Sequence, residues 1–83
     1  MKKFLYFSAP WCGPCKQLGP VMDELHAEGM TVQKIDIDSN PEIVQSFNIR
    51  NVPTVILQVD NVEKGRKIGL ASKSMYIDLY NQG

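Results

Sequence analysis

The chain has 83 residues, 43% of them hydrophobic and 22% charged, which suits one small domain near the lower size limit for folding without a staple. Nine basic and nine acidic side chains cancel, so no net field draws the chain to nucleic acid or to an anionic membrane. No stretch approaches the roughly 20 apolar residues of a membrane span. Met1-Lys2-Lys3 followed by Phe4-Leu5-Tyr6-Phe7 has the outline of a secretory leader. The apolar run stops at Ser8, however, and cleavage there would remove the best first strand, so no leader is expected.

In chain order, Phe4 to Phe7 is a short continuous apolar run, the mark of a strand buried on both faces. After a Pro10–Pro14 turn, Leu18, Val21, Met22 and Leu25 recur at i, i+3, i+4 and i+7, predicting an amphipathic helix kinked by Pro20 and ended by Gly29. Val32, Ile35 and Ile37 mark a second strand. Asn40-Pro41-Glu42 opens a short helix, with Asn as cap and Pro at the first helical position. Val52 to Val59 is rich in β-branched residues and reads as a third strand; Asp60-Asn61 is a hairpin turn, and Lys64 to Ile68 a fourth strand. Ser72 caps a last helix through Tyr80, with Tyr76, Leu79 and Tyr80 inward. The expected fold is α/β, in the order β-α-β-α-β-β-α over one domain, residues 1–83. The first two strands are then parallel neighbours through a right-handed crossover, and the last two form a hairpin, giving a four-stranded mixed sheet with helices on both faces.

Cys12 and Cys15 are the only thiols. A disulfide between them closes too short a loop to stabilise the fold appreciably, so stapling explains them poorly. Zinc needs about four nitrogen or sulfur ligands, and His26, read as a surface residue, is the only histidine; a metal is not expected. Redox chemistry remains. The pair falls between the first strand and first helix, at the carboxyl end of a parallel strand, where ligands bind in such sheets. Unpaired N–H groups at the helix start favour a thiolate there.

Trp11-Cys12-Gly13-Pro14-Cys15-Lys16 resembles the active-site motif of the thioredoxin family, and the likeness extends to Pro20, Lys34, Asp38, Asn40-Pro41, Ile49-Arg50, Val52-Pro53-Thr54 and Gly69. It covers nearly the whole chain, which is similar to the short, glutaredoxin-sized thioredoxins lacking the usual N-terminal strand and helix. That leaves the Val32–Ile37 strand as a sheet edge. The resemblance implies a protein-disulfide reductase with no bound cofactor beyond a redox-active Cys12–Cys15 disulfide. Cys12 would be the exposed nucleophile and Cys15 the resolving thiol, held in a turn shaped by Trp11, Gly13 and Pro14. Val52-Pro53 would carry a cis peptide facing the cysteines, and Trp11, Asn51, Val52, Ile68, Gly69 and Leu70 would border a groove for a substrate strand. The plain alternatives are Trp11 as packing and Pro53 as an ordinary trans proline.

The implied partners are protein disulfides, ribonucleotide reductase among them, and a thioredoxin reductase or similar dithiol donor, with a monomer in the cytoplasm expected. Two rivals stand beside this reading. One is a glutaredoxin-like protein reduced by glutathione, although Gly69-Leu70-Ala71 lacks a Gly-Gly followed by Asp; the other is a binding module that uses the groove without turnover. Among the departures from the family pattern, Asn48, Asn51 and Asn61 stand where many relatives have glycine, and Asn51 adds a side chain beside the groove. Ser8 replaces a common tryptophan. Tyr6 stands where the family has a buried aspartate beneath the cysteines, and tyrosine is a poor base at neutral pH. Lys34, the partner of that aspartate in the family, is then expected to be buried without its counter-ion or turned out to water. Asp36, two residues along the same strand, is the candidate replacement in a proton relay of Lys34, Asp36 and Tyr6.

Overall fold

The computed structural model describes residues 1–83. The elements are β1 (Lys2–Ser8), α1 (Gly13–Ala27), β2 (Val32–Asp36), α2 (Pro41–Ser46), β3 (Thr54–Val59), β4 (Val62–Ile68) and α3 (Lys73–Gln82). They form one four-stranded sheet in the order β2-β1-β3-β4. β1 runs parallel to β2, with Tyr6 opposite Lys34. It runs antiparallel to β3, and β3 is antiparallel to β4. The sheet is mixed, as expected, and β2 is an edge.

All four residues from Phe4 to Phe7 are buried, and the strand's period of two sends them to opposite faces. Phe4 and Tyr6 join Val55 and Leu57 under α1 and α3, which contribute Leu18, Met22, Leu25 and Tyr76. Leu5 and Phe7 join Ile35 and Ile56 on the other face, where Ile43, Val44 and Phe47 from α2 and its end cover them. One continuous apolar tetrapeptide thereby supplies both cores. Each fully buried side chain of this size contributes roughly 1.5–3 kcal/mol.

α1 runs through Pro20 without a break, although that residue brings no N–H for the Lys16 carbonyl. The helix ends at Ala27, and Gly29 follows with φ of 100°, a left-handed conformation that glycine adopts without a Cβ clash. Asp60 and Asn61 at the hairpin tip both have positive φ, matching the sense of turn that suits twisted strands. Asn48 is also left-handed, and Asn51 is not.

Several details differ from the sequence reading. β3 begins at Thr54 rather than Val52, because Pro53 has no N–H to give to a ladder. β4 begins two residues early, at Val62, and accommodates a register irregularity opposite Leu57 and Gln58. Neither expected cap residue bonds its own helix through its side chain. Asn40 instead donates from Nδ2 to the Asp36 carbonyl at 2.9 Å, and the Ser72 hydroxyl pairs with that of Ser74 at 3.1 Å. No helix is long and apolar enough to cross a membrane.

Candidate active site

The sharp exit from β1 into α1 sets the site. Cys12 N–H donates to the Ala9 carbonyl at 3.1 Å, and Cys12 is the residue that caps α1, with extended backbone angles. Pro14 occupies the first turn, where an N–H would have no helical partner. Cys15 N–H donates to Cys12 Sγ at 3.2 Å, so the sulfur fills the role a serine hydroxyl plays at other helix starts. Cys12 and Cys15 form a disulfide, with Cα atoms 5.3 Å apart.

Burial corrects one expectation. Cys12 is 4% exposed and Cys15 5%, so Cys12 is not the exposed member of the pair in this oxidised state. Both sulfur-bearing residues cluster with Ala9, and Ile37 and Val52 pack against them. What separates the two cysteines is their place in the helix: Cys12 at the cap, Cys15 within the first turn.

Trp11, Ile68 and Leu70 are each more than half exposed. The Trp11 indole N–H donates to Asp38 Oδ2 at 3.0 Å, which gives the ring a role beyond packing. The Val52–Pro53 peptide is cis. Two hydrogen bonds hold its loop: Gly69 N–H donates to the Pro53 carbonyl at 2.8 Å, and the Thr54 hydroxyl to the Asn51 carbonyl at 2.7 Å. Gly69 has φ of 82°, a backbone state that a side chain would strain. Asn51 is exposed beside this loop.

Sharing none of these residues, a cleft of about 390 Å³ is lined by Tyr6, Ser8, Ala9, Pro10, Cys15, Lys16, Gly19, Lys34 and Asp36. The proposed relay residues Tyr6, Lys34 and Asp36 are therefore brought together, but their pairing differs from the expectation. The Tyr6 hydroxyl donates to the Cys15 carbonyl at 2.9 Å. Burial pushes its pKa above the usual value, opposed by the Ser8 hydroxyl and the Lys34 charge. Tyr6 thus keeps its proton at neutral pH. Lys34 is exposed, and it is not without a counter-ion: its ammonium lies 2.7 Å from Asp23 Oδ1. The sequence reading does not name Asp23, whose pairing with Lys34 appears only once α1 is packed against β2. Cys15, Gly19 and Asp23 fall at i, i+4 and i+8 on one stripe of α1, the stripe that faces β2. His26 is exposed. No group of three or more His, Cys, Asp and Glu side chains is gathered to hold a metal ion.

A disulfide at a helix start, bordered by an apolar surface and a looped proline, is the working geometry of dithiol exchange, and comparison with known proteins agrees. The sequence profile of the thioredoxin family matches residues 2–81. The chain belongs to the thioredoxin family. It is 42% identical over 79 residues to a thioredoxin of Rickettsia felis, covering 92% of this chain and 75% of that protein. A thioredoxin of Chlamydia trachomatis is also 42% identical, over 78 residues, with 92% and 76% covered. Among solved structures, an engineered thioredoxin of Halobacterium salinarum superposes with a TM-score of 0.92 at 33% identity, covering 98% of this chain and 73% of that one. A reduced thioredoxin of Schistosoma mansoni gives a TM-score of 0.90 at 30% identity, covering 98% and 77%. The chain has the thioredoxin fold, and it is a thiol–disulfide oxidoreductase whose redox group is the Cys12–Cys15 pair.

Proposed function

We propose that this oxidoreductase reduces protein disulfides, with Cys12 as nucleophile and Cys15 as resolving thiol. The observation that supports this division is the position of Cys12 at the start of α1, where its sulfur accepts the Cys15 N–H. In the reduced protein the same N–H and the positive end of the helix favour a thiolate on Cys12. Cys15 lies beyond the cap and lacks that advantage.

Each step balances. The Cys12 thiolate attacks one sulfur of the substrate disulfide, forming a mixed disulfide and expelling the other sulfur as a thiolate that takes up a proton. Cys15 loses its proton and attacks Cys12 Sγ. The protein disulfide forms, and the second substrate thiol leaves. Two electrons and two protons pass to the substrate.

Thiolate activation alone is a modest contribution. Lowering a thiol pKa by about 1.5 units toward neutrality raises the thiolate fraction at pH 7 about 16-fold. The accompanying loss of nucleophilicity removes about sixfold, leaving about threefold. The remaining rate comes from holding the substrate strand against Trp11, Asn51, Val52, Ile68, Gly69 and Leu70, and from the intramolecular second step. Gly13 and Pro14 shape the turn, and Pro53 shapes the loop across from it.

The protein acts as a cytoplasmic, single-domain monomeric electron carrier. It is reloaded by a thioredoxin reductase or similar dithiol donor, with ribonucleotide reductase in its class of substrates. The test is to incubate the oxidised protein with NADPH and thioredoxin reductase, or separately with glutathione, and to titrate its free thiols. Reduction by the enzyme system supports the reading. Reduction by glutathione alone would point to the glutaredoxin-like rival.

A further inference from the structure

Tyr76 carries a hydroxyl that packing does not need. Its ring is wholly buried in the larger core, edge-on to Phe4 with centroids 6.3 Å apart, and a phenylalanine ring would fill that space equally well. A buried hydroxyl must find a partner or give up its hydration for nothing. The Tyr76 hydroxyl donates to the Gly69 carbonyl at 3.5 Å, long for such a bond, and the Ala71 backbone faces the same oxygen. A contact of that length stabilises the fold little, so stability is a poor reason for the hydroxyl.

The contact reaches the segment between β4 and α3 that borders the groove. Residues 69–72 belong to no strand or helix, and Leu70 and Ala71 make no hydrogen bond to another backbone group. Gly69 is the fixed point: its N–H donates to the Pro53 carbonyl at 2.8 Å, and its own carbonyl meets Tyr76 and no other protein donor. Gly69 and Ala71 flank Leu70, whose side chain stays half in water. The phenol therefore engages both neighbours of Leu70 from the core side and leaves Leu70 facing out.

We propose that Tyr76 is a positioning residue for the substrate: its hydroxyl holds the Gly69–Ala71 segment so that Leu70 is presented to a strand of a disulfide-bearing protein. This rests on the reading that Leu70 borders the substrate groove. Ordering the segment in advance explains how a weak contact matters. Without the hydroxyl, the segment keeps only the Gly69 N–H bond and the packing of the Ala71 methyl, and the substrate must order it on binding. Ordering a stretch of this size costs about 2- to 10-fold in affinity. The sulfur chemistry is untouched, because Tyr76 packs in a different cluster from the cysteines.

The experiment is a double-mutant cycle of Tyr76→Phe and Leu70→Ala. KM and kcat are measured for insulin, a protein disulfide, with dithiothreitol recycling the protein. The control is a single turnover of the pre-reduced protein with 5,5′-dithiobis(2-nitrobenzoate), a small disulfide. Tyr76→Phe should raise KM for insulin about 2- to 10-fold with kcat unchanged, and leave the small disulfide unaffected. Its melting temperature should fall by no more than about 8 °C, the shift of one ordinary hydrogen bond in a domain this small. The Leu70 and Ala71 amides should exchange hydrogen faster than in wild type. In Leu70→Ala little is left to present, so adding Tyr76→Phe should raise KM no further. An unchanged KM in Tyr76→Phe overturns the inference. So does a rise that persists in full in the Leu70→Ala background, or a loss of rate shared by both substrates, which is the signature of a structural effect only. An unchanged KM in Leu70→Ala alone would instead overturn the parent reading of the groove.

Discussion

The two sides of the Cys12–Cys15 disulfide are built from different materials. Toward the groove, Trp11, Ile68 and Leu70 leave more than half of their surface in water, and the loop before β3 is held by backbone and hydroxyl hydrogen bonds. Toward the cleft, a buried phenol is bonded to the helix backbone, and charged side chains meet across β2 and α1. An exposed apolar surface gives up little stability when changed, and in the proposed function it serves an incoming strand. A buried hydrogen-bonded phenol holds the fold and the site at once. Function and stability should therefore separate on the groove side and move together on the cleft side.

The largest stability effect should come from the apolar stripe of α1 that supports both sides. Leu18 is 1% exposed in the larger core. Leu18→Ala should cost about 2–5 kcal/mol in chemical denaturation, a large share of the roughly 5–15 kcal/mol available to a domain. A loss below 1 kcal/mol would mean that α1 is not seated on the sheet through this residue.

A smaller effect is expected on the cleft side. Tyr6→Phe removes the O–H bond to the Cys15 carbonyl and leaves that carbonyl within its helix, so about 1 kcal/mol should be lost. The pH dependence sharpens the test. Burial raises the pKa of Tyr6, and likewise of Tyr76, above the unfolded value of about 10. The folded state therefore holds these protons longer. Their contribution is complete below pH 10 and is lost as pH rises through the folded pKa. Stability should fall in alkaline solution, less steeply in Tyr6→Phe than in wild type. Denaturant melts between pH 8 and 11 would check this, and an identical slope in both proteins would contradict it.

The smallest stability effect belongs to the groove. Leu70→Ala and Ile68→Ala should stay within about 0.5 kcal/mol of wild type in unfolding. Both should raise KM for a protein disulfide several-fold with little change in kcat. Equal activity on a protein disulfide and on a small aromatic disulfide, in wild type and variants alike, would remove the groove from substrate binding.

Much of this architecture is legible in local pattern. The tetrapeptide Phe4–Phe7, the i, i+3, i+4, i+7 spacing of Leu18, Val21, Met22 and Leu25, and the Asp60-Asn61 turn each carry a period or a backbone preference that one short segment expresses alone. The pairing of β1 with β3 joins segments about fifty residues apart, and no local period encodes it. The same limit applies to the site. The cysteine pair announces itself through its spacing and its place between strand and helix. The partner of Lys34 depends on which stripe of α1 faces β2, so Asp23 emerges only when the two elements are packed together. Cap side chains misled for a related reason: Asn40 and Ser72 have nearer partners in the folded chain than their own helix N–H groups. Cys12 is buried because Ala9 and Val52 close over it, a packing fact that no motif contains.

The division of labour within the disulfide is tested most directly by locating the covalent intermediate. Cys15→Ser and Cys12→Ser variants, reduced and mixed with an oxidised protein substrate, should be digested without reductant and the linked peptides identified by mass spectrometry. The account predicts a stable mixed disulfide through Cys12 in Cys15→Ser, because attack still occurs and resolution cannot. It predicts little or none through Cys15 in Cys12→Ser. Comparable trapping on Cys15 would contradict the assignment of Cys12 as the attacking thiol.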